Sequence, residues 1–424
     1  MLNISLIIKC FNEKPTIGGL SKPTRHFYTL TVIQMIKNKG LKLLTIASSS
    51  GKAGSAISLL NTILGLKERG VEITVAVPNK GFLTDILERN GINYVICPIP
   101  YWTWPPLSNL KDVLKFIPKL IRTFYNQGLS IRLLKKKIKS SHINLIHTNV
   151  SVINIGYILS KKLSIPHVWH IREYGDLDFN HHSLYGKKGL RKHLAEMPTI
   201  CITKSLKEYF NLGEKSKVIY NGIEDPVTSP SNNILDAKND KSLIYVGRLT
   251  KKKGVNELVN AFIEFSNTNK DLTLDLIGSY DKDYGEELMS KINSNGLSER
   301  IKLIGAVDDP YSYMRKAKAI IVPSVCEGFG RITAEAMINY CLVIGKNTGG
   351  TKEQLDNGLE IFSHEIGIRY SSQSDLVTAL IEVSKLDEPA YKKIVTDACT
   401  TAKELYSVAQ NVEATYKYMR EVME

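Results

Sequence analysis

Pro323-Ser324-Val325-Cys326-Glu327-Gly328-Phe329-Gly330-Arg331-Ile332-Thr333-Ala334-Glu335-Ala336 is the stretch that decides how this chain is read. The run before it, Ala319-Ile320-Ile321-Val322, is apolar and of the length of a buried strand. Pro323 ends the run, glycines follow at 328 and 330, and a helical pattern begins near Ile332. A strand opening through glycines into a helix start is how α/β folds hold anions, because the first helical turn carries backbone N–H groups without partners. Glu327 precedes the glycines and Glu335 falls in what reads as the first helical turn. Carboxylates accept hydrogen bonds from hydroxyls. The stretch therefore predicts a ligand rich in both phosphate and hydroxyl groups.

Outward from this stretch, strands and helices alternate. Downstream, a helix over 332–340 leads to a strand at 341–344. Upstream, strands at 243–246, 272–277 and 301–304 alternate with helices at 255–268, 284–295 and 310–317. A second rhythm covers the first half, with strands at 41–47, 71–77, 94–97, 144–147, 168–170 and 199–203. Such alternation predicts an α/β protein of two doubly wound Rossmann-like domains whose strand C-termini face a shared cleft. The expected domains are 41–225 and 242–402, joined by a polar linker at 226–241. Residues 1–40, with Pro15, Pro23 and Gly18-Gly19 and no clear period, read as an extension outside the core. Residues 403–424 read as a C-terminal helix.

Composition sets limits. With 43% apolar and 23% charged residues over 424 positions, the chain is long enough for two or three cores and unlike a disordered one. Residues 1–240 hold 33 Lys and Arg against 16 Asp and Glu, whereas 241–424 hold 23 against 26. The basic half predicts an anionic partner. The six cysteines are scattered without metal-ligand spacing, which fits a reducing cytoplasm and neither a disulfide framework nor a zinc site. No run of about 18 apolar residues is present, and the N-terminus has no long apolar core with a cleavage site.

Further stretches carry chemistry. Val246-Gly247-Arg248-Leu249-Thr250-Lys251-Lys252-Lys253-Gly254 follows the first strand of the second domain, where Arg248 and Lys253 would clamp a pyrophosphate. The bland alternative is a solvated basic loop. The G-x-G-x-x-G fingerprint is absent, which argues against a nicotinamide cofactor. In the first domain, Ser50-Gly51-Lys52-Ala53-Gly54-Ser55-Ala56 joins a strand to a helix, and Gly51 and Gly54 would let the backbone approach a ligand. Val168-Trp169-His170-Ile171-Arg172-Glu173 ends a strand at the expected cleft, and His147-Thr148-Asn149 is a weaker counterpart. His181-His182 lacks a third ligand. Residues 111–139 carry nine Lys and Arg against Asp112 alone, interleaved with apolar residues at helical spacing. This suits an interfacial helix on anionic lipid, with Tyr101, Trp102 and Trp104 as aromatic anchors. The alternative is a helix whose apolar face packs on the core. No nucleic-acid module is present.

Taken together, Gly247-Arg248-Leu249, Lys253-Gly254, Gly305-Ala306-Val307, Glu327-Gly328-Phe329-Gly330 with Glu335-Ala336, and Gly349-Gly350 resemble the retaining glycosyltransferases of family four, over roughly residues 41–424. The resemblance implies the GT-B type fold, with the C-terminal helix returning to the first domain. It implies that Arg248 and Lys253 grip a donor diphosphate, that Glu327 meets the transferred sugar and Glu335 the nucleotide ribose. The backbone of Gly328, Phe329, Gly330, Arg331, Ile332 and Thr333 would lie along sugar and phosphates, with the loop from Gly305 to Val307 flanking the base and Gly247 also among the donor-binding residues. His170 would sit near the reacting carbon. The family works without a bound metal or other cofactor. The expected function is transfer of a sugar from a UDP- or GDP-sugar to a glycan or lipid-linked acceptor in cell-surface polysaccharide biosynthesis, by a cytoplasmic protein held at the inner face of the membrane. Alternatives are a nucleotide-sugar epimerase of similar fold and a non-catalytic membrane-associated subunit. Ala53 stands where the family has a second glycine.

Overall fold

The computed structural model describes residues 40–107, 109–225 and 239–424. The expected N-terminal extension, apart from Gly40, and nearly all of the expected linker lie outside the described residues.

The first domain is built on β1 (Lys42–Ile46), β2 (Glu72–Val77), β3 (Asn93–Ile96), β5 (Leu145–Thr148), β6 (His167–Ile171), β8 (Thr199–Cys201) and β9 (Ser216–Val218). They form one parallel sheet in the order β3-β2-β1-β5-β6-β8-β9. A small antiparallel pair, β4 (Thr103–Trp104) with β7 (His182–Ser183), sits beyond the strand C-termini. The second sheet takes β10 (Asn239–Val246), β11 (Thr273–Ile277), β12 (Ile301–Gly305), β13 (Ala317–Val322), β14 (Leu342–Lys346) and β15 (Ile368–Tyr370) in the order β12-β11-β10-β13-β14-β15. The central strands are covered by helices on both faces, so they read as continuous apolar runs; β13 is buried along its whole length. In both sheets the order reverses beside the first strand, at β1/β5 and β10/β13, and such switch points open the crevice in which doubly wound sheets bind ligands.

The C-terminal segment differs from the single helix expected. The chain runs as Glu388–Tyr406, breaks at Ser407 and restarts as Val408–Met423. Ser407 caps the second helix by accepting from Gln410 N, and Tyr406 O accepts from Ile223 N at 2.7 Å. The break lets the first helix stay on the second domain while the last one crosses back. That last helix packs on Gly54–Glu68 of the first domain, where a Cβ on Gly65 would lie 2.5 Å from Val412, so only glycine allows this approach. Asn411 accepts from Thr62 Oγ1 at 2.8 Å and donates to Tyr220 O at 2.6 Å, filling the polar gap between the helices.

One carboxylate ties the domains together. Glu353, buried in the helix Gly349–Phe362, accepts from the backbone N–H groups of Lys204 at 2.6 Å and Ser205 at 3.0 Å, and from Tyr220 Oη at 3.0 Å. The two N–H groups open the helix Lys204–Tyr209 of the first domain, whose orphan donors favour a negative partner. Glu353→Ala is expected to weaken the closed arrangement by about 1–3 kcal/mol. Small-angle scattering reads this as a larger radius of gyration; an unchanged radius would show that the carboxylate does not hold the domains.

The helix Leu110–Ser140 divides between the two alternatives. Its C-terminal part buries Ser130, Leu134 and Ile138 against the first domain. Its N-terminal part leaves Leu110, Leu114, Ile117, Ile121 and Tyr125 more than half exposed beside the lysines. Trp102 is a correction: it is 3% exposed and stacks on Trp169, so it belongs to the core and not to a membrane anchor.

Candidate active site

β13 ends at Val322, and the chain passes through residues 323–330 into the helix Arg331–Ile338. Gly330 takes a left-handed backbone (φ +76°) at the helix N-cap. The loop is fixed from behind by the start of the next helix. Gly350 N donates to Glu327 O at 2.9 Å, and a Cβ on Gly350 would sit 2.1 Å from Phe329 O. Gln354 donates its amide to Gly330 O at 3.2 Å and to Phe329 O. The Phe329 ring is buried against Tyr406 and Tyr220, so its side chain is an anchor and its backbone is what the loop presents.

Lys253 ends the short 3-10 turn Lys251–Lys253 after β10, and its Nζ lies 2.6 Å from Glu327 Oε1. Gly254 makes this possible, since a Cβ there would come within 2.2 Å of Pro323 O. Arg248 is exposed, and its carbonyl accepts from Tyr245 Oη at 2.9 Å. Gly247, Gly278 and Gly305 meet where β10, β11 and β12 end, through Gly247 N to Ile277 O and Gly278 N to Gly305 O. Val307 follows, packed against the core.

Arg331 crosses the cleft. Its Nη1 donates to Ser58 Oγ in the first domain at 2.8 Å and its Nη2 to Glu335 Oε1 at 2.9 Å. Gly54 allows this: a Cβ there would already be 3.3 Å from Arg331 Cδ. Gly51 is exposed in the same loop, its N–H held by Ser49 Oγ. Glu335 is the fifth residue of its helix, in the second turn and not the first as expected, and is 7% exposed. Tyr311 lies beside it; burial first and the Glu335 charge second push the phenol pKa up. Ile332 is half-buried, and Thr333 is buried with its hydroxyl 3.0 Å from that of Thr351.

His170 departs from the expectation of a cleft residue. It is 0% exposed, with Nδ1 at 3.3 Å from both His147 Nε2 and Arg172 Nη2. Burial first, then the Arg172 and His147 charges, hold its pKa well below the usual histidine range. β6 is buried at every position, on both faces of the sheet, so the ring is enclosed, and the residues that follow the strand are the ones beside the cleft. The carbonyl of Arg172 sits against Gly328, where a Cβ would be 2.6 Å away. The Arg172 guanidinium donates to Asn149 Oδ1 at 2.8 Å and to Asn221 Oδ1. Glu173 accepts from Ser151 N at 2.6 Å and Oγ at 2.9 Å, and burial raises its pKa to about 7.

Of the expected residues, the structure therefore brings together Lys253 with Glu327 and Arg331 with Glu335, and sets Gly54 against the second pair. Ser58, Glu353 and Asn221 were not anticipated, and Asn149 was named only within the weaker stretch His147-Thr148-Asn149. Ser58 lies on a helix read for its apolar spacing, and Glu353 on the helix Gly349–Phe362, which was not read from the sequence. Asn149 and Asn221 sit in loops after β5 and β9, and nothing in the sequence marks Asn221.

Two facing parallel α/β domains with a glycine-lined, charge-bearing loop at the cleft define a GT-B type protein. Residues 230–397 match the family model for glycosyl transferases group 1. The match covers the second domain, which is similar to the group 1 glycosyl transferases. The chain is 26% identical over 324 residues to the capsular polysaccharide biosynthesis glycosyltransferase CapH of Staphylococcus aureus, covering 72% of this chain and 81% of that one. It is 30% identical over 232 residues to an uncharacterized glycosyltransferase of Methanocaldococcus jannaschii, covering 53% of this chain and 62% of that one. Among solved structures, Anabaena HepE in complex with UDP shares the fold with a TM-score of 0.70 at 21% identity, over 89% of this chain and 99% of that one.

Proposed function

We propose that this glycosyltransferase moves a sugar, with retained configuration, from a UDP- or GDP-sugar to a glycan or lipid-linked acceptor in cell-surface polysaccharide biosynthesis. The observation that carries the reading is the self-paired charge set at one helix start, Lys253 with Glu327 and Arg331 with Glu335. A diphosphate entering there gives Lys253 a new anionic partner and frees Glu327 for the sugar hydroxyls. The ribose diol does the same for Glu335. Arg248, Lys253 and the N–H groups after Gly330 take up charge on the leaving diphosphate, work that other enzymes give to a metal ion. The chain just after β6, whose Arg172 carbonyl touches Gly328, stands nearer this chemistry than the buried His170. The relatives add support: CapH bears a capsular polysaccharide name and HepE was solved with UDP.

The membrane part of the reading rests on the projecting half of Leu110–Ser140, apolar and basic at once. No helix among the described residues is long and apolar enough to cross a membrane. The protein then works at the cytoplasmic face and holds anionic lipid through this helix. Two experiments test the whole. Calorimetry with UDP-, GDP-, ADP- and dTDP-sugars should detect one donor base, and NMR of the product should show the anomeric configuration of the donor. An inverted product would refute retention. Flotation with phosphatidylglycerol vesicles should be lost when Lys111, Lys115, Lys119 and Arg122 become glutamate; binding that survives would refute the lipid surface.

A further inference from the structure

Arg331 is the first residue of the helix Arg331–Ile338, and that helix does not favour a cation there. The N-terminal end of a helix is the positive end of its dipole and repels a guanidinium. Glu335 stands four residues on, and a cation placed before its carboxylate is the weaker of the two orders along a helix. The side chain nevertheless lies in the cleft, 17% exposed, with Nη1 donating to Ser58 Oγ of the helix Gly54–Glu68 at 2.8 Å and Nη2 to Glu335 Oε1 at 2.9 Å. A guanidinium has five N–H donors, so these two bonds leave three without a partner among the described residues.

Positive charge accumulates around it. The helix start has no side-chain cap and no acidic residue in its first turn, so its orphan N–H groups add their potential to that of the guanidinium. Arg172, on the first domain, is buried as well. Burial first lowers its pKa to about 9; the Glu173 charge opposes this and the Arg331 charge adds to the lowering, so the two guanidiniums repel. The carboxylate that pairs with Arg331 is the one that the donor reading gives to the ribose diol. A donor that places its ribose on Glu335 breaks the Nη2 bond, and the guanidinium then needs another acceptor. The diphosphate of the same ligand, held at the N–H groups of the same helical turn, supplies one.

We propose that Arg331 is a latch opened by the donor: in the empty cleft it covers Glu335 and ties the domains through Ser58, and on donor entry it moves to the diphosphate as a third cation beside Arg248 and Lys253. This rests on the donor site proposed above and adds a residue to it. A nucleoside alone cannot work the latch, because it takes Glu335 from Arg331 and offers no anion in return. Preference for a diphosphate over its nucleoside is thus built into the pair.

The test measures binding to the full chain, by calorimetry for UDP and GDP and by saturation-transfer NMR for uridine and guanosine. Arg331→Met keeps the aliphatic stem and removes the charge; its fold is checked by circular dichroism. It should bind the diphosphate about tenfold more weakly, the loss of one charge-assisted hydrogen bond, and the matching nucleoside about threefold more tightly, because Glu335 is already free. Opposite shifts are what a purely structural role cannot give, since disorder in the site weakens both ligands. Ser58→Ala keeps the cation and removes only the tie between the domains, so it should bind the diphosphate no more weakly than wild type. A nucleoside bound by Arg331→Met no more tightly than by wild type, a diphosphate affinity unchanged in that variant, or weaker diphosphate binding by Ser58→Ala would each overturn the latch and leave the donor site standing. Wild type that binds neither UDP nor GDP refutes the donor site itself, and the latch with it.

Discussion

Lys253→Ala is expected to lower kcat by roughly 10²–10³-fold, the usual loss when one preorganised group facing developing charge is removed. The side chain has little to do with stability. Its partner in the unliganded site is Glu327 at 2.6 Å, and both are partly open to solvent, so the pair contributes about 0–1 kcal/mol. The melting temperature should barely move. Catalysis is different, because the diphosphate leaves with added negative charge inside a closing cleft, where a fixed cation acts in a poorer dielectric than water. Without Lys253, Glu327 keeps its own charge facing the diphosphate, so part of the loss is repulsion. Lys253→Ala with Glu327→Gln should therefore bind donor better than Lys253→Ala alone, although turnover stays low because the sugar contact has also changed. Steady-state kinetics with the donor found by calorimetry, together with thermal denaturation, reads both quantities. A kcat within threefold of wild type would remove Lys253 from the mechanism.

The fold was legible because its signals are local. Apolar runs such as 319–322 and the glycines after them mark strands and their exits whatever the rest of the chain does. Lys253 and Glu327 were legible for the same reason: each follows a strand whose neighbour in the sheet carries the other. The places where the reading fell short depend on tertiary detail. His170 and Arg172 are two positions apart in one segment, and only the burial of both sheet faces shows that the imidazole is enclosed while the chain after β6 reaches the cleft. Glu335 was placed one residue too close to the helix start, hence in the first turn, because the start was set at Ile332 by apolar pattern, when Gly330 caps it. The break at Ser407 has no breaker residue to mark it. It exists because two domains need covering by one C-terminal segment.

The unexpected residues share a cause that bears on function. Arg331 to Ser58, Glu353 to the Lys204–Tyr209 helix start and Arg172 O against Gly328 all join the two domains. Each is made by a residue within or beside the glycine-rich turns, because only there do the backbones come close enough. The loop expected to hold the donor is thus also the loop that fixes how the domains meet. Donor entry that takes Glu335 from Arg331 would loosen one of these ties, which couples binding to the domain motion that group transfer requires.

Acid should unfold this protein well before ordinary carboxylate titration would. His147, His167 and His170 are all buried, and burial is the main cause of the low pKa of each; His147 and His167 are pushed down to about 3. The neighbouring Arg172 charge disfavours protonation of His147 and His170 further. Unfolded histidines take up protons as pH falls through about 6.5, whereas these stay neutral in the folded state, so stability present above pH 6.5 is lost progressively below it. Glu173 works in the opposite direction. Its carboxyl, raised to about 7, stays protonated in the fold while its unfolded counterpart ionises, so falling pH between about 7 and 4.5 stabilises the folded chain through this group. Three histidines against one glutamate leave a net uptake of about two protons on unfolding. That gives a slope approaching about 3 kcal/mol per pH unit near pH 5, enough to exhaust an ordinary stability margin within a few units. Denaturant unfolding at pH 7.5, 6.5 and 5.5 measures it. His167→Gln, which keeps a group able to meet Thr148 Oγ1 at the position of Nε2, should reduce the slope by about 1 kcal/mol per pH unit. Stability that stays level from pH 7.5 to 5.5 would mean that the histidines are not enclosed as the structure has them.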